Sequence, residues 1–153
     1  IEQGLAQAGF DTAARMRQLL VEQGCGSGGA CRGLVLVVDD EEDLAAAVEV
    51  LLQRRGFRTY KVFDGPAGVA AAQQLLPDLV LLDYELPELD GLQVLERLRN
   101  EPSTAGIPVL LNSAARVSLN DAKRADGFLA KPYPEALLHE MVERVLRSRG
   151  GRA

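Results

Sequence analysis

Several residue types are scarce in this chain of 153 residues. It has no tryptophan, one histidine, two cysteines and only 5% aromatic residues. The two cysteines, Cys25 and Cys31, have no cysteine or histidine partner nearby in the sequence. We therefore interpret them as inert linker thiols, in preference to a strained local disulfide or a metal site, and expect a reducing cytoplasm as the location.

The chain also lacks a long apolar run and a basic excess. No apolar stretch approaches the ~20 residues of a membrane span, and there is no signal-peptide pattern, so we expect no membrane insertion. The formal net charge is −5. Direct nucleic-acid binding needs a basic patch, so we expect none by this chain. The 47% hydrophobic and 25% charged residues are ordinary for a globular domain.

Composition divides the chain into two parts. In residues 1–33, Asp11 or Thr12 is a candidate cap for a helix that runs to about Gln23, and a stretch rich in glycine and serine follows it. We predict that this part is a helix and linker from an upstream region, and that residues 34–149 form one domain. Because the chain begins with Ile1, we expect it to be cut from a longer protein.

Strand and helix signals alternate five times from residue 34 onward. The continuous apolar runs 34–38 and 79–82 predict strands that are buried on both faces of a parallel sheet. Further strands are predicted at 57–63, which has the charges of an edge strand, 108–111 and 128–130; helices are predicted at 41–55, 66–76, 91–100 and 134–147. This alternation predicts an α/β fold with a doubly wound five-stranded parallel sheet. In the order 2-1-3-4-5, strands one and three would be neighbours at the point where the strand order reverses.

Three aspartates follow the two apolar runs. Asp39 and Asp40 come directly after the first run, and Asp83 after the second. The carboxyl ends of parallel strands share one edge of the sheet, so the three carboxylates are expected to meet there. Three carboxylates crowded together repel one another, and a divalent cation is the usual way to neutralise them. Mg²⁺ prefers oxygen ligands and tends to share its shell with phosphate. The pattern therefore predicts Mg²⁺ as cofactor and phosphoryl chemistry.

Four motifs, in order and at strand ends, resemble one known family. They are residues 37–42 (VVDDEE), 81–91 (LLDYELPELDG), 112–114 (NSA) and 128–132 (FLAKP). Together they are similar to the receiver domain of bacterial two-component response regulators, over about residues 34–146. The resemblance implies the flavodoxin-like receiver fold of the chemotaxis-regulator type, with strand order 2-1-3-4-5.

The resemblance implies a role for each acidic residue. Asp83 resembles the phosphoacceptor, a carboxylate nucleophile. Asp40 resembles the direct Mg²⁺ ligand, and Asp39 a ligand that acts partly through water. Glu85 stands where the family supplies a backbone carbonyl to the metal, although its acidic side chain is expected to repel a phosphoryl group.

The resemblance also implies roles beside the acidic residues. Lys131 is expected to contact the acyl phosphate and Ser113 to hydrogen-bond a phosphoryl oxygen. Phe128 matches the aromatic residue whose rotamer changes together with the movement of the Ser113 hydroxyl toward the phosphoryl oxygen. Pro132 resembles a proline that follows a cis peptide bond.

Simpler interpretations stand beside these roles. Asp39 and Asp40 are also suited to capping the next helix. In the same way, Lys131 is typical of an ordinary surface lysine, Ser113 of a turn serine and Phe128 of a core aromatic residue. We interpret His139 as a surface or boundary histidine of the last helix, not a phosphotransfer histidine. The segment between Ser113 and Lys131 is about one helical turn shorter than the family pattern, so the fourth helix, within residues 115–125, is expected to be stunted.

The predicted function is a phosphorylation-controlled switch and not an enzyme, although it assists its own phosphotransfer and dephosphorylation. A histidine kinase or histidine phosphotransfer domain is the expected phosphodonor. The domain is also a candidate for attachment to an upstream domain and for forming a homodimer. Two alternatives remain: a degenerate receiver that binds partners without phosphorylation, and an aspartate-nucleophile phosphohydrolase. Flavin or dinucleotide binding is not favoured, because no glycine-rich turn follows the first strand.

Overall fold

A computed structural model of the chain describes residues 32–150. The predicted helix from Asp11 or Thr12 to about Gln23 and both cysteines lie outside these residues. The described part alternates strands and helices: β1 Gly33–Val38, α1 Glu42–Arg54, β2 Phe57–Val62, α2 Gly65–Leu75, β3 Leu79–Asp83, α3 Gly91–Asn100, β4 Val109–Ser113, α4 Leu119–Ala122, β5 Gly127–Ala130 and α5 Glu135–Gly150. Every strand and helix predicted from residue 34 onward is present, with bounds that differ by three residues or fewer.

The five strands form one parallel sheet in the order β2-β1-β3-β4-β5. This confirms the predicted order and the predicted edge position of the second strand. The reversal of strand order lies between β1 and β3, whose pairing aligns Val38 with Leu82. The residues that follow β1 therefore lie beside the end of β3, at the position where open α/β sheets bind ligands.

The apolar runs of the central strands supply both faces of the sheet. Leu34, Leu36 and Val38 of β1 belong to one buried cluster, whereas the alternate residues Val35 and Val37 belong to the cluster on the other face. Successive side chains of a strand point to opposite faces, so a strand covered on both sides must be apolar throughout. All residues of β1, β3 and β4 are buried accordingly.

The junction before β1 belongs to the folded domain. β1 begins at Gly33, one residue inside the segment assigned to the linker from its composition. Arg32 forms an ion pair with Glu143 of α5, and its guanidinium lies 4.6 Å from the centre of the Phe57 ring. The division of the chain at residue 33 otherwise stays a prediction.

The fourth helix is short, as expected. α4 has four residues, with the Ser118 side chain accepting a hydrogen bond from the Asp121 N–H at its start. Leu119 at its first position is 70% exposed. A single turn cannot bury a full apolar stripe, so the segment between β4 and β5 offers a reduced surface.

Across residues 32–150, no helix has the length and apolar character that crossing a membrane requires.

Candidate functional site

Three carboxylates meet at the carboxyl end of the sheet. Asp39 and Asp40 follow β1, and Asp83 is the last residue of β3. One ligand oxygen from each of them lies within 4.8 Å of the others, with Asp39 and Asp83 buried and Asp40 exposed. Opposite ligands of an octahedral Mg²⁺ ion are about 4.2 Å apart. The spacing of the three carboxylates is therefore consistent with one shared cation, and Asp40 is the carboxylate that is exposed to solvent.

A lysine from the fifth strand end joins the carboxylates. Lys131, directly after β5, places its ammonium nitrogen 3.1 Å from Asp83 Oδ2 and 3.2 Å from Asp39 Oδ2. The three side chains are largely shielded from water, which strengthens their mutual attraction. Lys131 is thus part of the site and not the surface lysine of the simpler interpretation.

The two adjacent aspartates do not occupy the cap of the following helix. The N-cap residue of α1 is Glu41, and its side chain makes no capping hydrogen bond. Asp39 Oδ1 instead accepts a hydrogen bond from the Glu41 N–H at 2.9 Å, while Oδ2 faces Lys131. This arrangement holds the Asp39 carboxylate toward the site, which the capping interpretation does not explain.

A tight loop follows Asp83 and returns to it. The Glu85 N–H donates to Asp83 Oδ1 at 3.2 Å, and the Gly91 N–H donates to the Tyr84 carbonyl at 2.8 Å. A Cβ atom at position 91 would lie 2.6 Å from the Asp83 carbonyl oxygen, so only glycine permits this approach. The loop thereby fixes one oxygen of the Asp83 carboxylate.

The Glu85 side chain also reaches the end of β4. Its carboxylate accepts hydrogen bonds from the Ser113 hydroxyl and, at 3.1 Å, from the Ala114 N–H. Ser113 is the last residue of β4 and is 1% exposed. The sequence placed Ser113 at this strand end, but nothing in the local pattern around Glu85 signalled that its side chain would bond there. The Ala114 N–H was likewise missed, because backbone donors have no residue signature.

The remaining predicted positions lie on β5 and just beyond it. Phe128 is half-buried and packs on the core cluster of the α2 and α3 face. The peptide bond between Lys131 and Pro132 is cis, as the resemblance implied. The surface or boundary position expected for His139 was wrong, because it is 6% exposed. It follows the fully buried Leu138 on α5, and its Nε2 lies 3.2 Å from Glu135 Oε2 one turn earlier.

Burial and the neighbouring charges shift the pKa values of three groups at the site. Burial raises the pKa of the Asp83 carboxyl from 3.8 to about 7; the Lys131 charge opposes this shift and the Asp39 charge adds to it. Burial opposes the charge of Lys131, but the carboxylates of Asp83 and Asp39 outweigh burial and raise the lysine pKa. Burial also raises the pKa of the nearby Tyr133 hydroxyl. A cation beside Asp83 would favour its ionised form.

This shift predicts how stability depends on pH. Between the ordinary pKa of 3.8 and about 7, the folded chain binds more protons at Asp83 than the unfolded chain does. The free energy of unfolding therefore falls as pH rises through this range. In metal-free buffer, we expect Asp83→Asn to raise the free energy of unfolding by about 1–2 kcal/mol at about pH 7.5, with little gain at about pH 4.

Urea unfolding at the two pH values measures this difference. Asp43→Asn is the matched control, because Asp43 is an exposed aspartate in the first turn of α1. An equal gain at both pH values, or a loss at the higher one, would contradict the raised pKa of Asp83.

The sequence matches the family model described as the response regulator receiver domain over residues 35–143. The chain belongs to this family. Receiver domains act as signalling switches, and this one is homologous to response regulators of two-component systems. Its acidic site, made by Asp39, Asp40 and Asp83, is consistent with the phosphoacceptor site of the family.

Two regulators illustrate the relationship. The receiver domain is 37% identical over 116 residues to the DNA-binding dual master transcriptional regulator RpaA of Synechocystis, covering 72% of this chain and 46% of that protein. It is 37% identical over 121 residues to the sensory transduction protein RegX3 of Mycobacterium tuberculosis, covering 76% and 52%. The chain therefore spans about half the length of these regulators.

Solved receiver structures have the same fold. The receiver domain of a signal transduction histidine kinase from Syntrophus aciditrophicus has a TM-score of 0.69 and 30% identity, covering 76% of this chain and 91% of that one. The receiver domain of a sensor histidine kinase from Pseudomonas aeruginosa has a TM-score of 0.68 and 26% identity, covering 74% and 97%. The latter holds a magnesium ion in its active-site cleft.

Proposed function

We propose that this receiver domain takes a phosphoryl group onto Asp83 and changes conformation to control a partner or an attached domain. The proposal rests on one observation above all: the buried carboxylate of Asp83 lies 3.1 Å from Lys131 and beside Asp39 and Asp40. In the reaction, an Asp83 oxygen attacks phosphorus, a P–O bond forms, and the bond from phosphorus to the donor breaks. The donor leaves with the electron pair.

Each neighbouring residue has a defined part in this proposal. Asp40 would bind Mg²⁺ directly and Asp39 partly through water, and Asp83 and the Glu85 backbone carbonyl would complete the protein ligands. Mg²⁺, when bound, supplies positive charge that offsets the carboxylates and the incoming phosphoryl oxygens.

The lysine and the switch residues complete the site. Lys131 neutralises charge that builds on the transferred group, and Ser113 hydrogen-bonds one of its oxygens. The Phe128 ring changes its rotamer when the Ser113 hydroxyl turns toward the phosphoryl group. In this way the domain assists its own phosphotransfer and dephosphorylation without turning over an external substrate.

The proposed phosphodonor is a histidine kinase or a histidine phosphotransfer domain. A groove of about 350 Å³ opens beside the site between α1 and the segment after β5. Its lining is mainly apolar and includes Leu44, Ala47, Val48, Leu51, Lys131 and Tyr133. Because Lys131 belongs to both the groove and the acidic site, a donor helix seated there would bring its phosphohistidine next to Asp83.

We propose a cytoplasmic location, and the acidic balance of the chain supports no direct nucleic-acid contact by this domain. Attachment to an upstream domain and dimer formation stay predictions.

Labelling with a small phosphodonor tests the proposed function. Incubation with acetyl phosphate and Mg²⁺ is expected to add a single base-labile phosphoryl group, detected by intact mass, and chelation of Mg²⁺ should prevent the addition. A wild-type chain that stays unlabelled would favour the degenerate receiver. Steady hydrolysis of p-nitrophenyl phosphate would favour the phosphohydrolase, which is disfavoured because the carboxylate of Glu85, two residues after Asp83, is held by Ser113 and Ala114.

A further inference from the structure

The Glu85 carboxylate is held by two donors at the end of β4. The Ser113 hydroxyl donates to one of its oxygens and the Ala114 N–H donates to the other at 3.1 Å. Each carboxylate oxygen thus has its own donor, a two-point arrangement that defines the position of the anion. From the sequence, the acidic side chain of Glu85 is expected to repel a phosphoryl group, and its hydrogen bonds at the end of β4 add a second effect.

The same two donors are suited to a phosphoryl group. A hydroxyl and a backbone N–H side by side form the kind of donor pair that binds phosphate or carboxylate oxygens. Asp83 lies on the adjacent strand, where β3 pairs with β4 through Asp83 and Asn112, the residue before Ser113. A phosphoryl group attached to Asp83 would therefore need donors that Glu85 now occupies.

We propose that Glu85 is an internal anion that occupies the phosphoryl-binding donors of the unphosphorylated domain and must release them when Asp83 is phosphorylated. This inference rests on the proposed function and deepens it, because it names what the phosphoryl group displaces. Before phosphorylation, the loop after β3 is tied to the end of β4 through Glu85. Afterwards, the phosphoryl group takes over Ser113 and Ala114, and the Glu85 carboxylate turns away from the negative charge.

Binding of a phosphoryl analogue tests the competition directly. The probe is beryllofluoride with Mg²⁺, followed by calorimetry on the wild-type domain and on Glu85→Gln. Glutamine keeps the size of the side chain and the backbone carbonyl, but it has no charge and only one acceptor atom for the two donors. We expect Glu85→Gln to bind beryllofluoride about tenfold more tightly, and Glu85→Ala at least as tightly.

A matched control separates the hydrogen bonds from charge alone. Glu88 is an exposed acid in the same loop, so Glu88→Gln removes the same charge nearby. Its affinity for beryllofluoride is expected to stay within about twofold of wild type, since exposed charges are screened. In a Ser113→Ala background, the gain from Glu85→Gln should shrink, because one of the two contested donors is then missing.

The outcomes distinguish this inference from the proposed function. In a chain that acetyl phosphate labels on Asp83, Glu85→Gln could bind beryllofluoride as tightly as wild type or more weakly. Either result would overturn the proposal that Glu85 is an internal anion and leave the proposed function standing. Equal gains from Glu85→Gln and Glu88→Gln would also overturn it, since charge would then explain the effect. No analogue binding by any variant, together with an unlabelled wild type, would reject both proposals.

Discussion

Asp83→Asn is expected to abolish phosphorylation by acetyl phosphate and Mg²⁺ while leaving the domain folded. Asp83 is 2% exposed at the end of β3 and is the carboxylate that Lys131 and the Glu85 N–H orient from two sides. An amide at this position fills the same space but has no nucleophilic carboxylate oxygen. Intact mass measured over time for wild type and variant gives the comparison.

An aspartate outside the site supplies the control. Asp43→Asn, in the exposed first turn of α1, should be labelled as fully as wild type. Full labelling of Asp83→Asn would show that another residue accepts the phosphoryl group. Loss of labelling in Asp43→Asn would instead indicate a general disturbance of the domain.

Asp40→Ala is expected to weaken Mg²⁺ binding by at least about tenfold, equivalent to roughly 1.4 kcal/mol. Asp40 is the exposed member of the three carboxylates, whereas Asp39 and Asp83 both hold Lys131 through Oδ2. A cation arriving from solvent therefore meets Asp40 first and gains a ligand that the lysine does not share. Asp39→Ala should have the smaller effect, since that residue is proposed to act partly through water.

Calorimetric titration with Mg²⁺ measures these affinities. Glu42→Ala removes an exposed acid from the start of α1 and is the matched control for the loss of one charge. Unchanged affinity in Asp40→Ala would place the metal elsewhere and make the carboxylate cluster structural. If Glu42→Ala lost as much Mg²⁺ affinity as Asp40→Ala, the loss would come from long-range charge and not from a missing metal ligand.

Much of the fold could be predicted because its determinants are local. The apolar runs at β1 and β3 have no polar residue to expose, and only a strand covered on both faces accepts such a sequence. The breaks between elements are equally local: the Asp90 side chain and Gln93 form a capping box at the start of α3, and Gly56 takes a positive φ of 92° after α1. The parallel topology then follows, because alternating strands and helices have few ways to pack.

The burial of His139 could not be predicted in the same way. The helical pattern of α5 marks Leu138 and Val142 as core residues, and His139 adjoins Leu138 in the chain. How much of the adjacent position is covered depends on how the helix is rotated against the sheet. That rotation is set by contacts with β4 and β5, which no window of sequence contains.

By itself, the sequence determined the five strands, the presence of Asp39, Asp40, Asp83, Ser113 and Lys131 at strand ends, and the short fourth helix, since each depends on residue type and spacing along the chain. The order of the strands in the sheet was implied by the resemblance of the four motifs to the receiver family. Only the tertiary structure decided that Lys131 lies between Asp39 and Asp83, that the Asp83 pKa rises to about 7, and that the Glu85 carboxylate occupies the donors of Ser113 and Ala114. These features join residues 28 to 92 positions apart. Their distances and burial arise from the packing of separate strands and loops, and the interaction of charges depends on that distance and burial.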